Sequence, residues 1–316
     1  MPGSRICRIR VTRHALPSEE ERDKHKKHQV RAGYKSTGYS WPICSVPNPS
    51  THPASYSRTR HSPKRLSKDH TLKSDPPKTT VDLLLTGFPG RTPRGWLGWS
   101  TVTLICQAGR ALLFDTGGPG DRPALLASLQ TKGLTPGNID TIVLSHFHFD
   151  HAANVELFPT AEILVHERTA VYAQEQTGKD LALVEWLTTT ILAQPRVRLL
   201  HGEPEVWPGI QMIQTPGHTS GCVSLRLEQE QEVWVFAADA VKHREELSAG
   251  VAQAGFDLKA SRNSIARIRR IADRVIPGHD VPLRVTPHGI EPEGQAHLEI
   301  TTTLTTSIAK MATLDL

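Results

Sequence analysis

Residues 141–151 read TIVLSHFHFDH, and this stretch decides the fold. It opens with a short apolar run rich in β-branched residues, which is typical of a buried β-strand. Three histidines and one aspartate then fall within six positions, namely His146, His148, Asp150 and His151. Because a divalent ion such as zinc binds imidazole and carboxylate groups, the stretch predicts a strand that ends in a metal site.

The spacing of these ligands matches the direction of side chains on an extended segment. Alternate residues of a strand face the same side, so His146 and His148 can approach one cation while Phe147 points into the core. After a turn at the strand end, Asp150 and His151 can reach a second position. The alternative is a histidine-rich loop without metal, which the crowding of so many ligands disfavours.

Three later segments repeat this pattern, with a short strand followed by a polar residue in a tight turn. His218 lies in the turn TPGHTSG, Asp239 follows the apolar run Val233–Phe236, and His279 lies in the turn IPGHD. Each turn alone is a weak indication, but with the first stretch they give four strand ends that carry potential ligands. Short strands in series with helices between them predict two sheets covered by helices, an α/β sandwich.

The remaining pattern predicts the elements around these turns. The expected strands are Val81–Leu85, Ser100–Gln107, Arg110–Asp115, Glu162–His166, Val197–Leu200, Gln211–Gln214, Val223–Leu227 and Val233–Phe236. The expected helices are Pro123–Gly133, Ala152–Leu157, most of Glu167–Thr190, and Ser261–Ala272. Gly87–Gly98 is expected to be a loop. The segment Glu167–Thr190 is the hardest to predict, so we expect it to face the substrate.

Charge divides the chain into two parts. Residues 1–78 contain 17 Lys and Arg against 6 Asp and Glu, whereas the rest contains 20 against 26. Because the first part has almost no apolar periodicity, we expect residues 1–78 to be a disordered basic extension and residues 79–316 to form the folded domain. A functional tail and a translated upstream region are both open for the extension.

The cysteines and the apolar runs exclude several classes of protein. Cys7, Cys44, Cys106 and Cys222 lack C-x-x-C spacing, so neither a disulfide framework nor a cysteine zinc site is indicated. No run approaches the roughly 18 to 20 apolar residues that a membrane span requires, and the N-terminus lacks the apolar core of a signal peptide. The expected location is cytoplasmic, without membrane binding.

The ordered set of motifs, H-x-H-x-D-H, T-P-G-H-T, an aspartate at a strand end and P-G-H, resembles the metallo-β-lactamase-fold hydrolases over roughly residues 80–285. The resemblance implies a four-layer αββα sandwich with the site at the edge between two sheets, and it makes residues 79–316 the catalytic domain. It also implies two metal positions with these ligands: His146, His148 and His218 for the first, Asp150, His151 and His279 for the second, and Asp239 as the bridge.

The implied mechanism follows from two bound cations. Two zinc ions, or manganese or iron on the same ligands, can lower the pKa of a shared water to about 7, so that a hydroxide attacks the substrate at neutral pH. Asp150 is the expected catalytic residue, because it can orient this nucleophile and pass a proton to the leaving group. The expected substrate is a small acyl compound, such as a lactone, a thioester or a related ester or amide.

Within the family, the motifs are most similar to the lactonase and glyoxalase II side, and D-T-G-G-P at residues 115–119 resembles a subgroup of metallo-β-lactamase-domain proteins. Two departures leave the substrate open. Acyl-homoserine lactonases resemble one another in a tyrosine three residues after the bridging aspartate, where this chain has Lys242. The basic pair of glyoxalase II enzymes has no aligned counterpart.

Other side chains are expected near the site in supporting roles. Asp115 and Ser145 are candidates to hold the histidine rings from behind. Lys242 and His243 could meet a substrate carboxylate, or they could be a solvated turn. Tyr172 and Trp186 are candidates either for a pocket wall or for the core.

Two alternative functions remain open at this point. One is a metal-dependent nuclease or phosphodiesterase of the same fold, which the basic extension leaves open although no nucleic-acid motif supports it. The other is a non-catalytic metal-binding scaffold, which the presence of all seven potential ligands disfavours. The expected partner is a small-molecule substrate, and the oligomeric state is open.

Overall fold

The computed structural model of the chain describes residues 10–13, 78–295, 297–303 and 309–315, with side chains for residues 78–295. The prediction for residues 1–78 therefore falls, apart from Arg10–Arg13 and Lys78, outside the described residues. The described strands are β1 (Arg10–Arg13), β2 (Thr79–Leu85), β3 (Arg91–Thr92), β4 (Gly95–Trp96), β5 (Val102–Gln107), β6 (Arg110–Phe114), β7 (Thr141–Leu144), β8 (Glu162–His166), β9 (Val197–Leu200), β10 (Glu205–Trp207), β11 (Ile210–Gln214), β12 (Val223–Gln229), β13 (Glu232–Ala238), β14 (Arg274–Pro277), β15 (Leu283–Thr286), β16 (Gly289–Pro292), β17 (His297–Thr303) and β18 (Ala309–Asp315).

The α-helices lie between these strands. They are α1 (Arg122–Thr131), α2 (Phe149–Ala152), α3 (Glu167–Gln176), α4 (Glu185–Leu192), α5 (Arg244–Ala249) and α6 (Leu258–Ile271). Three 3₁₀ turns cover Pro119–Asp121, Pro136–Asn138 and Val155–Leu157. No helix among the described residues is long and apolar enough to cross a membrane.

Two mixed sheets form the body of the fold. The first has the order β2-β5-β6-β7-β8-β9, with parallel pairing from β6 through β9. The second has the order β10-β11-β12-β13-β14-β15-β16, in which only β13 and β14 pair in parallel. Parallel neighbours require a crossover, and a helix supplies one between β6 and β7 and again between β13 and β14.

Three apolar clusters separate four layers. One cluster lies between the first sheet and helices α1, α3 and α4, with Leu125, Leu129 and Ile191 among its members. A second cluster lies between the sheets, where the rings of Phe114 and Phe236 approach to 6.4 Å. The third packs the second sheet against α5 and α6. This helix–sheet–sheet–helix order confirms the predicted αββα sandwich.

Strand β7 shows why the sequence folds in this way. All four of its residues, Thr141–Leu144, are buried, because side chains of alternate direction enter the cluster under the helices and the cluster between the sheets. A strand with parallel neighbours on both sides and layers on both faces reads as a continuous apolar run. The loop that carries the ligands begins at the C-terminal end of this buried strand.

Helix α6 begins three residues before its predicted start. The side chain of Asp257 accepts the backbone N–H groups of Lys259 and Ala260 at 2.9 and 3.0 Å, which caps the helix. Ser261, Ser264, Ile265 and Ile268 are buried at helical spacing, and the arginines lie mainly on the other face. The amphipathic character is as predicted, and the missed feature is the aspartate cap.

The prediction of a helix over Ala152–Leu157 is wrong in its placement. The chain leaves its extended course at His148, whose carbonyl accepts the N–H groups of His151 and Ala152 at 3.0 and 3.1 Å. The short helix α2 therefore starts at Phe149, and Val155–Leu157 is a separate 3₁₀ turn. As a result, Asp150 and His151 project from the first turn of a helix rather than from a loop.

A further sheet contains three strands in the order β1-β18-β17, and most of its residues belong to a second compact unit of the chain. The segment Gly87–Gly98, predicted as a loop, contains the two-stranded ribbon of β3 and β4. Glu167–Thr190 splits into α3 and α4 with an irregular connection at residues 177–184.

Candidate metal centre

The predicted ligands lie where strands of the two sheets end. His146 and His148 follow β7, and Asp150 and His151 lie in α2 directly after them. Asp239 is the first residue after β13, and His279 is the second residue after β14. The backbone N–H of Val223 in the second sheet donates to the carbonyl of Ser145 at 3.1 Å, which ties the loop after β7 to that sheet.

The structure brings the three histidines of the first expected position together. One ring nitrogen from each of His146, His148 and His218 lies within 4.8 Å of the other two. Nδ1 of His148 and Nε2 of His218 are only 2.9 Å apart. His146 is fully buried, and the side chains of His148 and His218, which are 8% and 12% exposed, both line the cavity that opens onto this group.

The second expected position also assembles. Ligand atoms of Asp150, His151 and His279 lie within 4.8 Å of one another. Asp239 lies between the two groups, because its Oδ2 is 3.1 Å from Nε2 of His218 while its Oδ1 is 3.1 Å from Nε2 of both His151 and His279. All seven predicted site residues therefore converge on one place.

Asp115 and Ser145 support the rings from behind, as expected. The Oγ–H of Ser145 donates to Oδ2 of Asp115 at 2.7 Å, and the same carboxylate oxygen lies 2.7 Å from Nδ1 of His151. Nδ1 of His146 lies 2.9 Å from Oγ of Ser145 and can donate to it. We assign the ring protons of both histidines to Nδ1, which leaves Nε2 of each ring with a lone pair that faces the site.

Two further histidines are oriented in the same way. Nδ1 of His279 lies 2.9 Å from the carbonyl oxygen of Trp99, and Nε2 of His148 lies 2.8 Å from Oδ2 of Asp180. Tyr172 also donates its hydroxyl to Asp180 at 2.8 Å. The sequence prediction missed Asp180, because a single aspartate in an irregular connection carries no motif.

The donor atoms fit a bound cation. Among the described residues, several buried polar atoms have no hydrogen-bond partner of acceptable geometry, and three of them are candidate ligand atoms of this site: Nε2 of His146, Nε2 of His151 and Oδ1 of Asp239. Buried polar atoms are normally paired, and facing lone pairs repel unless a positive charge lies between them. Nitrogen and carboxylate oxygen donors without a cysteine suit zinc, manganese or iron.

The charges of the site shift the pKa values of its groups in opposite directions. Burial lowers the pKa of His146 and His218 well below the ordinary histidine value. Burial also opposes protonation of His151 and His279, but the surrounding carboxylates, with Asp239 the strongest of them, together outweigh it and raise both pKa values. Burial would raise the pKa of Asp239, but the surrounding histidines hold it well below its ordinary range. The site thus brings buried carboxylate groups and histidine rings together in one place.

A cavity of about 450 Å³ opens onto these ligands. Five aromatic side chains line it, Lys242 and Arg91 add positive charge, and His243 adds an imidazole ring. The aromatic lining residues are Phe88, Trp96, Phe149, Tyr172 and Phe256. The ribbon of β3 and β4 and the connection at residues 177–184 both contribute to the wall. The segment Glu167–Thr190, expected to face the substrate, thus contributes Tyr172, Asp180 and Ala182 to the lining of this cavity.

The other side chains that were expected near the site lie in different surroundings. Tyr172 lines the cavity, whereas Trp186 lies outside its lining and is 67% exposed. Lys242 also lines the cavity, and its Nζ donates to the carbonyl of Ala254 at 3.2 Å and lies 3.8 Å from the buried carboxylate of Glu246. The lysine is therefore held at the pocket wall rather than in a solvated turn.

The fold and this ligand arrangement define a class of protein, the metal-dependent hydrolases of the αββα type. The family model of the metallo-beta-lactamase superfamily matches residues 96–279, a range that contains all seven site residues. The chain therefore belongs to the metallo-β-lactamase superfamily.

Two kinds of curated relative are similar to this chain. Metallo-beta-lactamase domain-containing protein 1 of Xenopus laevis is 34% identical over 192 residues, which cover 60% of this chain and 74% of that protein. An N-acyl homoserine lactonase of Bacillus thuringiensis is 34% identical over 158 residues, which cover 48% of this chain and 60% of the lactonase. The match to the lactonase thus spans less than two thirds of that enzyme.

Solved structures confirm the fold. A mutant of B. thuringiensis AiiA with N-decanoyl-L-homoserine bound at its active site matches with a TM-score of 0.54 at 23% identity, over 65% of this chain and 94% of that one. An N-acyl homoserine lactone hydrolase with its product bound at the catalytic metal centre matches with a TM-score of 0.52 at 24% identity, again over 65% and 94%.

Proposed function

We propose that the protein is a dinuclear metal-dependent hydrolase that acts on a small acyl compound, such as a lactone, a thioester or a related ester or amide. The observation that carries this proposal is Asp239, whose two carboxylate oxygens each face a different group of histidines at 3.1 Å. A single carboxylate so placed is suited to bridge two cations. Zinc is the expected metal for both positions, although manganese or iron can use the same donors.

Each metal position has its own set of ligands in this proposal. The first is held by His146, His148 and His218, the second by Asp150, His151 and His279, and Asp239 serves both. When bound, the two cations would supply a water of lowered pKa and positive charge for the developing oxyanion. The lone pairs that we assign to the inward-facing ring nitrogens support this assignment.

The chain's own residues then perform the remaining steps. Oδ2 of Asp150 lies 3.6 Å from Nε2 of His279 and at the wall of the cavity, so Asp150 can accept a proton from the attacking water and return it to the leaving group. Asp115 and Ser145 hold the rings of His151 and His146 and keep their tautomers fixed. The buried surroundings of Asp239 strengthen each of these electrostatic interactions.

The pocket also suggests where the rest of the substrate binds. Its aromatic wall offers apolar surface to an acyl group, and Lys242 and His243 are placed to meet a negatively charged or strongly polar group. The relatives named as lactonases support an acyl substrate. Lys242 stands where those lactonases are expected to have a tyrosine, so we propose that the preferred substrate differs from an N-acyl homoserine lactone.

A hydrolysis panel tests the proposed function. The full chain, stripped of metal and reconstituted with zinc, would be assayed against lactones, thioesters, a chromogenic β-lactam and a phosphodiester. We expect turnover of a lactone or a thioester that disappears when the zinc is removed. Turnover of the phosphodiester alone would replace the proposal by a nuclease or phosphodiesterase function, and no turnover of any compound would favour a non-catalytic scaffold.

A further inference from the structure

We infer that Asp180 is a positioning residue, which fixes the ring of His148 so that its Nδ1 faces the first metal position. Asp180 lies in the connection between α3 and α4, about thirty residues beyond the histidine motif. This inference rests on the proposed function, because it concerns the ligand role of His148. It adds to the site a residue that neither the sequence motifs nor the similarity to known proteins points to.

The hydrogen bonds of Asp180 carry the inference. Oδ2 of Asp180 lies 2.8 Å from Nε2 of His148 and accepts the hydroxyl of Tyr172 at 2.8 Å, while Oδ1 accepts the backbone N–H of Ala182 at 3.0 Å. The carboxylate is therefore fixed by two groups that are independent of the histidine. Its side chain is only 21% exposed, and that of His148 is 8% exposed, so water competes little for this contact.

The backbone around Asp180 fixes the same geometry. The N–H of Phe149 donates to the carbonyl of Ala182 at 3.0 Å, and His148 forms an isolated antiparallel bridge with Leu183. The connection between α3 and α4 thus runs alongside the loop that carries the histidines. These backbone contacts place the carboxylate of Asp180 beside the His148 ring.

The chemical consequence concerns the tautomer of His148. A carboxylate accepts only, so Nε2 of His148 must carry the ring proton to make this hydrogen bond. Nδ1 is then the lone-pair nitrogen, and it is the atom that lies 2.9 Å from Nε2 of His218. Without the carboxylate, the ring could carry its proton on either nitrogen and rotate, which would cost part of the metal affinity.

Tyr172 extends this link to the substrate pocket. Its ring stands perpendicular to that of Phe256 with the centroids 5.2 Å apart, and both rings line the cavity. Its hydroxyl donates to the same oxygen of Asp180 that faces Nε2 of His148. Asp180 therefore contacts both Tyr172, in the aromatic wall of the cavity, and His148, at the first metal position.

Stepwise zinc affinities test this role. The full chain, stripped of metal, would be titrated with zinc against a chromophoric chelator, for the wild type, Asp180→Asn and Tyr172→Phe. We expect Asp180→Asn to weaken one of two zinc affinities by about 10- to 100-fold and to leave the other within a few-fold. Tyr172→Phe, which keeps the carboxylate, should weaken the same affinity by less.

A matched control separates positioning from general stability. Asp140 also accepts a backbone N–H, that of Ala111 at 2.8 Å, but it lies at the opposite end of β7. Asp140→Asn should leave both zinc affinities unchanged, even if it lowers the melting temperature of the metal-free protein as much as Asp180→Asn does.

A second measurement reports on the ring directly. In ¹⁵N-labelled, zinc-loaded wild type, the Nε2 proton of His148 should give a downfield resonance that Asp180→Asn shifts or removes. If Asp180→Asn binds both zinc ions as tightly as the wild type and keeps this resonance, the positioning role is wrong while the proposed function stands. If the wild type itself binds no zinc, the proposed function fails and takes this inference with it.

Discussion

Asp239 is the residue at which the two halves of the site meet. It is buried and surrounded by the Nε2 atoms of His151, His218 and His279, each 3.1 Å from one of its oxygens. A buried carboxylate needs compensating charge, and in the proposed function bound cations supply it, because histidines that ligate a metal are neutral. The residue-scale predictions follow from this requirement.

His151→Ala removes one ligand of the proposed second metal position. We expect the purified variant to lose about one of its two bound metal ions and all measurable hydrolysis while it keeps the fold, because the strands around it remain packed. The measurements are metal content, turnover and circular dichroism. His201→Ala is the matched control, since the His201 side chain is 71% exposed and pairs with Glu167 on the surface. Retained hydrolysis in His151→Ala would count against the assigned site.

Gly278→Ala should displace the carboxylate of Asp239 without replacing any of the seven ligand residues. A Cβ at Gly278 would lie 2.3 Å from Oδ1 of Asp239 and 2.9 Å from the backbone carbon of Ala238, so the carboxylate must move. We expect zinc affinity to fall and hydrolysis to fall with it, as measured by chelator competition and turnover. Gly120→Ala, where a Cβ meets open space, should leave both unchanged. Equal behaviour of the two variants would contradict the proposed bridge.

At the scale of elements, the sequence predicts what depends on local pattern. The strand ends that carry His146, His218 and Asp239 follow from short apolar runs broken by glycine, proline or a polar residue, and these were predicted. The start of α2 was not, because it depends on the carbonyl of His148 rather than on apolar periodicity. The cap of α6 by Asp257 was also overlooked, although its residue type is a recognisable signal.

The ion pair of Glu203 and Arg267 ties α6 to the second sheet. Nη2 of Arg267 donates to Oε2 of Glu203 at 2.8 Å, and Oε1 accepts the backbone N–H of Gln214 at 2.9 Å. The hydrogen bond from Arg267 is the main cause that lowers the pKa of Glu203. The pKa of Glu203 is thus lower in the folded state than in the unfolded state. The ion pair therefore stabilises the fold fully at pH values above the ordinary glutamate pKa, and this stabilisation is lost as the pH falls through the lowered pKa of the folded state.

Glu203→Gln should therefore destabilise the protein in a pH-dependent way. At pH 7 we expect the free energy of unfolding to fall by on the order of 1 kcal/mol, since the pair is partly exposed to solvent. The difference from the wild type should shrink as the pH is lowered below the ordinary glutamate pKa. Urea unfolding with a chelator present measures this without a contribution from metal release. A difference that stays constant with pH would show that the charge of Glu203 contributes nothing.

At the scale of the whole molecule, the αββα order brings distant residues together. His146 and His279 are separated by more than a hundred residues, yet both contribute to a site at the edge between two sheets. The motifs and their order were enough to predict the fold and this convergence. The pocket wall and Asp180 were beyond the sequence, because they depend on how a connection and a ribbon fold over the ligands.

Deletion of residues 1–78 tests the proposed division of the chain. The seven site residues and the residues that line the cavity all lie in the part that follows. We expect the shortened chain to hydrolyse the preferred substrate at the rate of the full chain and to remain in solution. Turnover measured per bound zinc compares the two proteins on equal terms. A collapse in turnover or in solubility would assign the basic extension a structural or functional role.

The metal content of the purified full chain tests the central claim most directly. After incubation with zinc and removal of the unbound ions, elemental analysis should give two zinc ions per chain. A value near zero, or a value of one that does not rise with added zinc, would contradict a dinuclear centre bridged by Asp239.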